Sequence, residues 1–233
     1  MPNPAWDLVH LLGTMREAQG RILIPGFYDA VRPPSPAVLE AIARLPLDRA
    51  AALATVGRTS LPPPDDLGYF ERLMTTPTLN IAGFTSGYGG PGSKTIIPAT
   101  ATVKIDMRLA PEQRTDDVYA KFEAHGARHA PEVEVVPLGN MEPSFTPLEH
   151  PYADMVRRAV ATGFGAAPID VPLLGGSLPD AVFTQILGLP SFLVPYANAD
   201  ERNHAPNENK ALDRFFNGIR IAATLYAGIA TAG

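Results

Sequence analysis

Ala101-Thr102-Val103-Lys104-Ile105-Asp106-Met107-Arg108-Leu109 alternates apolar and polar side chains without a break. Val103, Ile105, Met107 and Leu109 share one face, and Thr102, Lys104, Asp106 and Arg108 share the other. Period-two patterning predicts a half-buried strand, placed over 97–109, with an arginine near its exit. A partner strand is predicted over 77–86. Between the two, Gly83 to Gly92 reads as a glycine-rich loop, fit for a ligand-facing flap or a plain hairpin excursion. Downstream, Thr115 with Asp116 and Asp117 reads as the cap of a helix through Val118 and Phe122, and 132–138 alternates as another strand.

Upstream of this block, Asn3 is positioned to cap a helix whose first turn holds Pro4 and whose inner face carries Ala5, Leu8, Leu12 and Met15. Residues 32–66 are rich in Pro and Arg around one helical stretch near 36–54, and Pro62-Pro63-Pro64-Asp65-Asp66 marks an exposed turn. The order helix, strands, helix, strand fits a ferredoxin-like unit without its first strand. After about residue 142 the pattern changes to a helix over 149–163, a Gly-Gly-Ser junction, a helix over 178–187, a strand from Ser191 to Pro195 and a final helix. The whole reads as α/β: an α+β unit over 1–141, then an α/β piece over 142–233 with little sheet of its own. Its bare strand edges call for a companion chain or a second copy.

Bulk properties narrow the function. The 233 residues suffice for one or two domains with a real core. A net charge of -5 and a pI near 5.5 supply no basic patch, which argues against nucleic acid and anionic membranes as partners. No apolar run approaches the roughly twenty residues of a membrane span, and no signal-peptide pattern opens the chain, so a cytoplasmic protein is expected. Zero cysteines exclude disulfides and thiolate metal sites.

Three further motifs bear on chemistry. Leu173-Leu174-Gly175-Gly176-Ser177-Leu178-Pro179-Asp180-Ala181 reads as a strand–glycine–helix junction. Such a junction would turn free backbone N–H groups toward a carboxylate or oxyanion, though a tight turn explains the glycines equally well. Asn203-His204-Ala205-Pro206-Asn207-Glu208 sets His204 on a loop ahead of a helix, with Pro206 and Asn207 as helix-start chemistry and Leu212, Phe215, Phe216, Ile219, Ala223 and Tyr226 as its periodic apolar residues. Gly92-Ser93-Lys94-Thr95 superficially invites a P-loop reading, but the glycine spacing is wrong. His125 and His129 are four apart, yet no Glu stands between them as a zinc-protease helix requires, and Gly126 points to a fraying helix end. His10 and His150 read as surface or structural residues.

Taken in order, "PNPAWDLVHLLGTMREAQGRILIPGFYDAV", "PGSKTIIPATATVKIDMRLAPEQ", "GGSLPDA" and "HAPNE" resemble the dinuclear-zinc peptidases and deacylases. That family includes carnosinase-type dipeptidases, glutamate carboxypeptidase, acetylornithine deacetylase and succinyl-diaminopimelate desuccinylase. The resemblance runs from residue 2 almost to the end, and Gly-Phe-Tyr-Asp points to the carnosinase-like branch. It implies a ferredoxin-like lid and dimerisation domain followed by the C-terminal part of a zinc-peptidase catalytic domain. It further implies two zinc ions per complete site, a dipeptide or N-acyl amino acid as substrate, and a homodimer formed through the lid.

By the same resemblance, His204 matches a zinc ligand and Arg108 matches a lid arginine that clamps the substrate carboxylate. Thr95 matches a lid threonine that reaches substrate across the subunit boundary. Ser177, with the Gly175-Gly176 backbone, matches a substrate-holding loop. Where some dipeptidases carry a glutamate before the glycines, this chain has Leu174. The His-x-Asp motif, bridging Asp, Glu-Glu pair and His-Ser-Gly of the family have no counterpart here, and Met1 aligns just after that His-Ser-Gly. The expectation is a chain that begins inside the lid, holds no general base and is inert alone. Three readings stay open: the lid-bearing part of a hydrolase, a dimerising module without chemistry, and a carboxylate binder using Arg108, Thr95 and Ser177.

Overall fold

The computed structural model describes residues 1–60, 66–198 and 200–231. The chain forms α1 (Pro4–Met15), α2 (Pro36–Ala43), α3 (Arg49–Val56), α4 (Asp66–Thr75), β1 (Thr78–Ser86), β2 (Ala101–Arg108), α5 (Thr115–His129), α6 (Ala153–Phe164), a π-helical turn at Val182–Ile186 and α7 (Leu212–Thr231). Helices with a small antiparallel sheet make this an α/β chain. It divides into two compact units. The first comprises Met1–Pro34, Thr59–Ser144 and Leu173–Ala181, and the second Ser35–Arg58, Phe145–Pro172 and Val182–Gly233.

In the first unit, Asn3 Oδ1 accepts from the Ala5 N–H at 3.0 Å and Pro4 opens α1, as the sequence implies. The helix buries Leu8, Leu11 and Met15. The chain then doubles back: Arg16 bridges Ile22, and the Leu23 N–H donates to the Met15 carbonyl at 2.7 Å. This delivers Ile22, Ile24 and Phe27 to a core with Leu79 of β1 and Val118 and Phe122 of α5. Ile105, Met107 and Leu109 pack against that core, the face the alternation assigns them. β1 and β2 pair antiparallel, Thr78 opposite Arg108 and Asn80 opposite Asp106. Buried Gln113 fastens the sheet exit to the turn after α1, its Nε2 donating to the Phe27 carbonyl and its Oε1 accepting from the Ala110 N–H, both at 2.8 Å. Both ends of the amide are thereby satisfied, which burial demands.

Several local expectations change. Gly83 lies inside β1, where the register shifts between Ile81 and Gly83, so the loop runs from Gly87 to Thr100 and β2 starts at Ala101. Thr115 is the first residue of α5 rather than its cap. Arg114 takes the cap position without a side-chain bond, and the Glu142 carboxylate accepts from the Thr115 N–H (3.3 Å) and hydroxyl instead. A negative charge there complements the helix N-terminus, so a distant side chain replaces the local cap. α5 continues through Gly126 to His129, because a missing Cβ lets Val135 approach. Segment 132–138 keeps its alternation, Val133 and Val135 turning inward, but joins no ladder among the described residues.

In the second unit the expected helix over 36–54 is two helices. Leu45 precedes Pro46, which disfavours helical backbone, and Asp48 Oδ1 then caps α3 through the Ala51 N–H at 3.0 Å. α6 and α7 pack together with Ala159 and Ile221 fully buried. Gly163 permits that approach, since a Cβ there would meet Ile221 Cδ1 at 2.9 Å and the Asn217 carbonyl at 3.0 Å. Arg157 ties the loops around α6, bonding Asp154 (2.7 Å), Asp170 (2.9 Å) and the Leu148 carbonyl (2.9 Å). The expected helix 178–187 reduces to the five-residue π-helical turn, and Ser191–Pro195 carries no strand. Pro62 to Asp65 lie outside the described residues. α4 goes unforeseen, its Asp66-Leu67-Gly68 start masking the helical period.

Candidate ligand site

The sheet face turned away from the core carries Thr78 and Asn80 of β1 opposite Arg108 and Asp106 of β2. The Arg108 backbone N–H donates to Thr78 Oγ1 at 3.3 Å. Its guanidinium is held at two points: Nε donates to Asp106 Oδ2 at 3.0 Å, and Nη1 donates to Ser177 Oγ at 2.7 Å. Arg108 and Ser177 are sixty-nine residues apart in sequence and belong to one compact unit. The Arg108 and Asp106 side chains stay nearly half exposed (46% and 45%), so the fork is accessible from solvent. Its Nη2 and the second Nη1 hydrogen have no protein acceptor among the described residues. A planar fork with two free terminal donors fits a carboxylate.

Ser177 reaches Arg108 because Gly175 lies against α4. A Cβ at Gly175 would meet Leu73 Cδ1 at 3.0 Å and the Leu73 carbonyl at 3.3 Å. Gly176 is exposed beside it. The expected strand–glycine–helix geometry is absent: 171–174 form no strand, and a turn at 179–180 leads directly into the π-helical turn, which is too short to present a helix N-terminus. Gly175 acts here as a close-approach residue. Thr95 lies exposed in the loop between β1 and β2, and among the described residues no hydrogen bond links it to Arg108 or Ser177. The same part of the unit holds a depression of about 210 Å³ lined by Arg16, Tyr69, Arg72 and Leu73 with Thr78 and Asn80.

His204 belongs to the second unit, on an exposed loop. The helix expected at Pro206 begins only at Leu212. Arg202, His204 and Asn207 all take positive φ (55°, 61° and 63°), a conformation disfavoured for side chains of this kind. Hydrogen bonds hold the excursion. Asn198 bonds Asp200 (2.6 Å), Asn209 (3.0 Å) and the Ala211 N–H (2.9 Å), and Asn209 donates to the Asp200 carbonyl at 3.0 Å.

His125 is buried, its Nε2 2.8 Å from the Thr14 hydroxyl, its Nδ1 without a partner among the described residues, and its ring 4.3 Å from that of His129. Burial, then the His129 and Arg128 charges, hold its pKa below the ordinary 6.5. It is a packed histidine.

Residues 1–134 match the family described as the peptidase dimerisation domain, more than half of the chain. The chain belongs to that M20 peptidase family. It is 27% identical over 229 residues to a Cys-Gly metallodipeptidase of Schizosaccharomyces pombe, covering 95% of this chain and 48% of the relative. To a Beta-Ala-His dipeptidase of Homo sapiens it is 26% identical, covering 98% and 46%. The solved structure of an M20 family metallo-carboxypeptidase from Sulfolobus solfataricus superposes with a TM-score of 0.92 at 29% identity, over 97% of this chain and 52% of that one. The chain thus spans about half the length of the curated relatives it matches.

Relatives named as metallopeptidases raise the question of a metal. Among the described residues no group of three His, Cys, Asp or Glu side chains stands close enough to hold an ion. A catalytic zinc takes about three protein ligands and a two-metal site several more, so the residues present do not fit the group on their own. No helix of the described residues is long and apolar enough to cross a membrane.

Sequence reasoning named Arg108, Gly176 and Ser177 but missed Asp106, although its position two residues before Arg108 on one strand face was the available signal. It also missed Leu73, which had none.

Proposed function

We propose that this chain is the lid-bearing part of a zinc-dependent metallopeptidase or amidohydrolase that cleaves the amide bond of dipeptides or N-acyl amino acids. The observation that carries the reading is the Arg108 fork, fixed by Asp106 and Ser177 with its terminal donors facing solvent. In this reading Arg108 binds the free carboxylate of the substrate, Ser177 and the Gly176 backbone bound the pocket, and Thr95 reaches substrate held by a second copy. His204 would supply one zinc ligand. The remaining ligands and the general base would come from sequence outside 1–233, so this polypeptide alone is expected to hydrolyse nothing. Residues 1–141 are assigned to the lid and 142–233 to the catalytic part. A homodimer through the lid is supported by the outer edges of β1 and β2, unpaired among the described residues, and by exposed Ile81 and Phe84. A cytoplasmic location is proposed with it.

The ligand test is calorimetric titration of the chain with alanyl-alanine and with its C-terminal amide. Binding of the acid alone, lost in Arg108→Ala, supports the reading. Equal binding of acid and amide, or an unaffected Arg108→Ala variant, overturns it. Peptide hydrolysis by the zinc-loaded chain alone would overturn the claim that it is inert. A second reading, a carboxylate-binding module without chemistry, is favoured by the absence of a metal-ligand cluster among the described residues. Zinc uptake with restored hydrolysis when a ligand-bearing segment is added separates the two.

A further inference from the structure

We infer that Asp106 makes the Arg108 site selective for the side-chain charge of the substrate's C-terminal residue, favouring lysine or arginine there and disfavouring aspartate or glutamate. The inference rests on the carboxylate-binding reading of Arg108 and deepens it. Asp106 and Arg108 lie two residues apart on the same face of β2, an opposed pair about 7 Å apart at the backbone. Arg108 spends Nε on Asp106 Oδ2 and one Nη1 hydrogen on Ser177. That leaves Nη2 and one Nη1 hydrogen for a carboxylate. On Asp106 only Oδ2 is engaged by the protein among the described residues, and its side chain is 45% exposed. Oδ1 is therefore an open anionic acceptor beside the place a ligand carboxylate would occupy.

A C-terminal amino acid carries its carboxylate and its side chain on one Cα. When the carboxylate sits on those Arg108 donors, a side chain directed along β2 passes Asp106. A cationic side chain there gains a charge-assisted hydrogen bond, a neutral one gains nothing, and an acidic one meets like charge. Because the pair is about half exposed, the gain is that of a surface ion pair, about fivefold in affinity rather than hundreds. Asn80, opposite Asp106 in the ladder, is neutral, whereas Lys104, two residues before Asp106 on the same face, is a cation that reduces the preference without reversing its sign at the Asp106 carboxylate.

The experiment is titration of the full chain with alanyl-lysine, alanyl-alanine and alanyl-glutamate, repeated with Asp106→Asn and Arg108→Ala. The expected order is lysine, alanine, glutamate, with about fivefold between the first two at low salt. Asp106→Asn should collapse that order; because Asp106 also holds the Arg108 fork, the readout is the ratio of alanyl-lysine to alanyl-glutamate affinity and not the affinity for any one peptide. Loss of affinity for all three peptides in equal proportion would mean that Asp106 only positions Arg108, and the inference fails. An unchanged order in Asp106→Asn also sinks it, with the carboxylate reading intact. Binding of none of the peptides, or binding indifferent to Arg108→Ala, removes the underlying reading instead.

Discussion

In the first unit Met15, Ile22, Ile24 and Phe27 are almost wholly buried around one cluster. In the second, Ile42 and Ile221 are as well hidden, but Phe215, Phe216 and Ile219 on α7 are each about half exposed, and Ile186 is 75% exposed. Both units leave apolar side chains exposed, Ile81, Ile97, Val136 and Leu138 in the first among them, but among the described residues the first gathers a large buried cluster and the second buries only a few apolar side chains. The lesson is that the first unit has the buried core of a domain, while the second buries far less among the described residues.

The sharpest way to break this comparison is Phe27→Ala. Phe27 is 1% exposed in the main cluster, so truncation should cost about 3–5 kcal/mol and lower the thermal midpoint of the first unit. Phe216→Ala, by contrast, should change little. Equal losses in the two variants, measured by chemical denaturation, would erase the distinction. Next in size is Gly163→Val, because the added side chain meets Ile221 and the Asn217 carbonyl where α6 and α7 touch. It should destabilise by about 1–3 kcal/mol, and retention of full helicity and stability would show the helix pair to be looser than its contacts imply.

A smaller effect is expected at the start of α5. Glu142→Gln removes the negative charge from the helix N-terminus but keeps an acceptor, so about 0.5–1 kcal/mol should be lost, less at high salt. No salt dependence would mean the carboxylate serves only as a hydrogen-bond acceptor.

The sequence patterns made the strand at 101–108, the Asn3 cap and the long final helix legible, because each depends on short-range rules. Period two assigned Ile105 and Met107 to the core face correctly, and the same alternation set Asp106 beside Arg108. What was illegible depends on distant partners. Thr115 has every local mark of a cap, yet Glu142 takes that role from twenty-seven residues away. Segment 132–138 alternates like a strand, but alternation reports which side chains turn inward and cannot supply a neighbour to bond. The closeness of Arg108 and Ser177 likewise rests on Leu73 lying against Gly175, which no spacing encodes. The family resemblance paired these residues by inheritance; the geometry gives the physical means.

A pH measurement sharpens the picture of the first unit. His125 is held below its ordinary pKa by burial first and by the His129 and Arg128 charges second. Below about pH 6.5 the unfolded chain therefore binds a proton that the fold resists, so the unfolded state gains as pH falls. Stability of this unit should be level above about pH 7 and decline through the acid side of that value. His129→Gln, which removes one neighbouring charge, should make the decline shallower. A slope unaltered by that change would place the pH response elsewhere.

The smallest effect on stability, and the most telling for the comparison, is expected from Phe215→Ser with Phe216→Ser on α7. Both residues are about half exposed (51% and 53%), and their rings meet edge to face with centroids 5.6 Å apart. Their removal takes little out of the interior, so the folding free energy should move by only about 0.5 kcal/mol for each substitution. If α7 presents an association surface, however, the double variant should self-associate less and bind less of a hydrophobic dye, and sedimentation and fluorescence would show both. A large loss of stability with unchanged association would mean that the rings belong to the interior of the second unit. The openness of that unit would then be far smaller than its exposed side chains imply, and the contrast with the first unit would have to be given up.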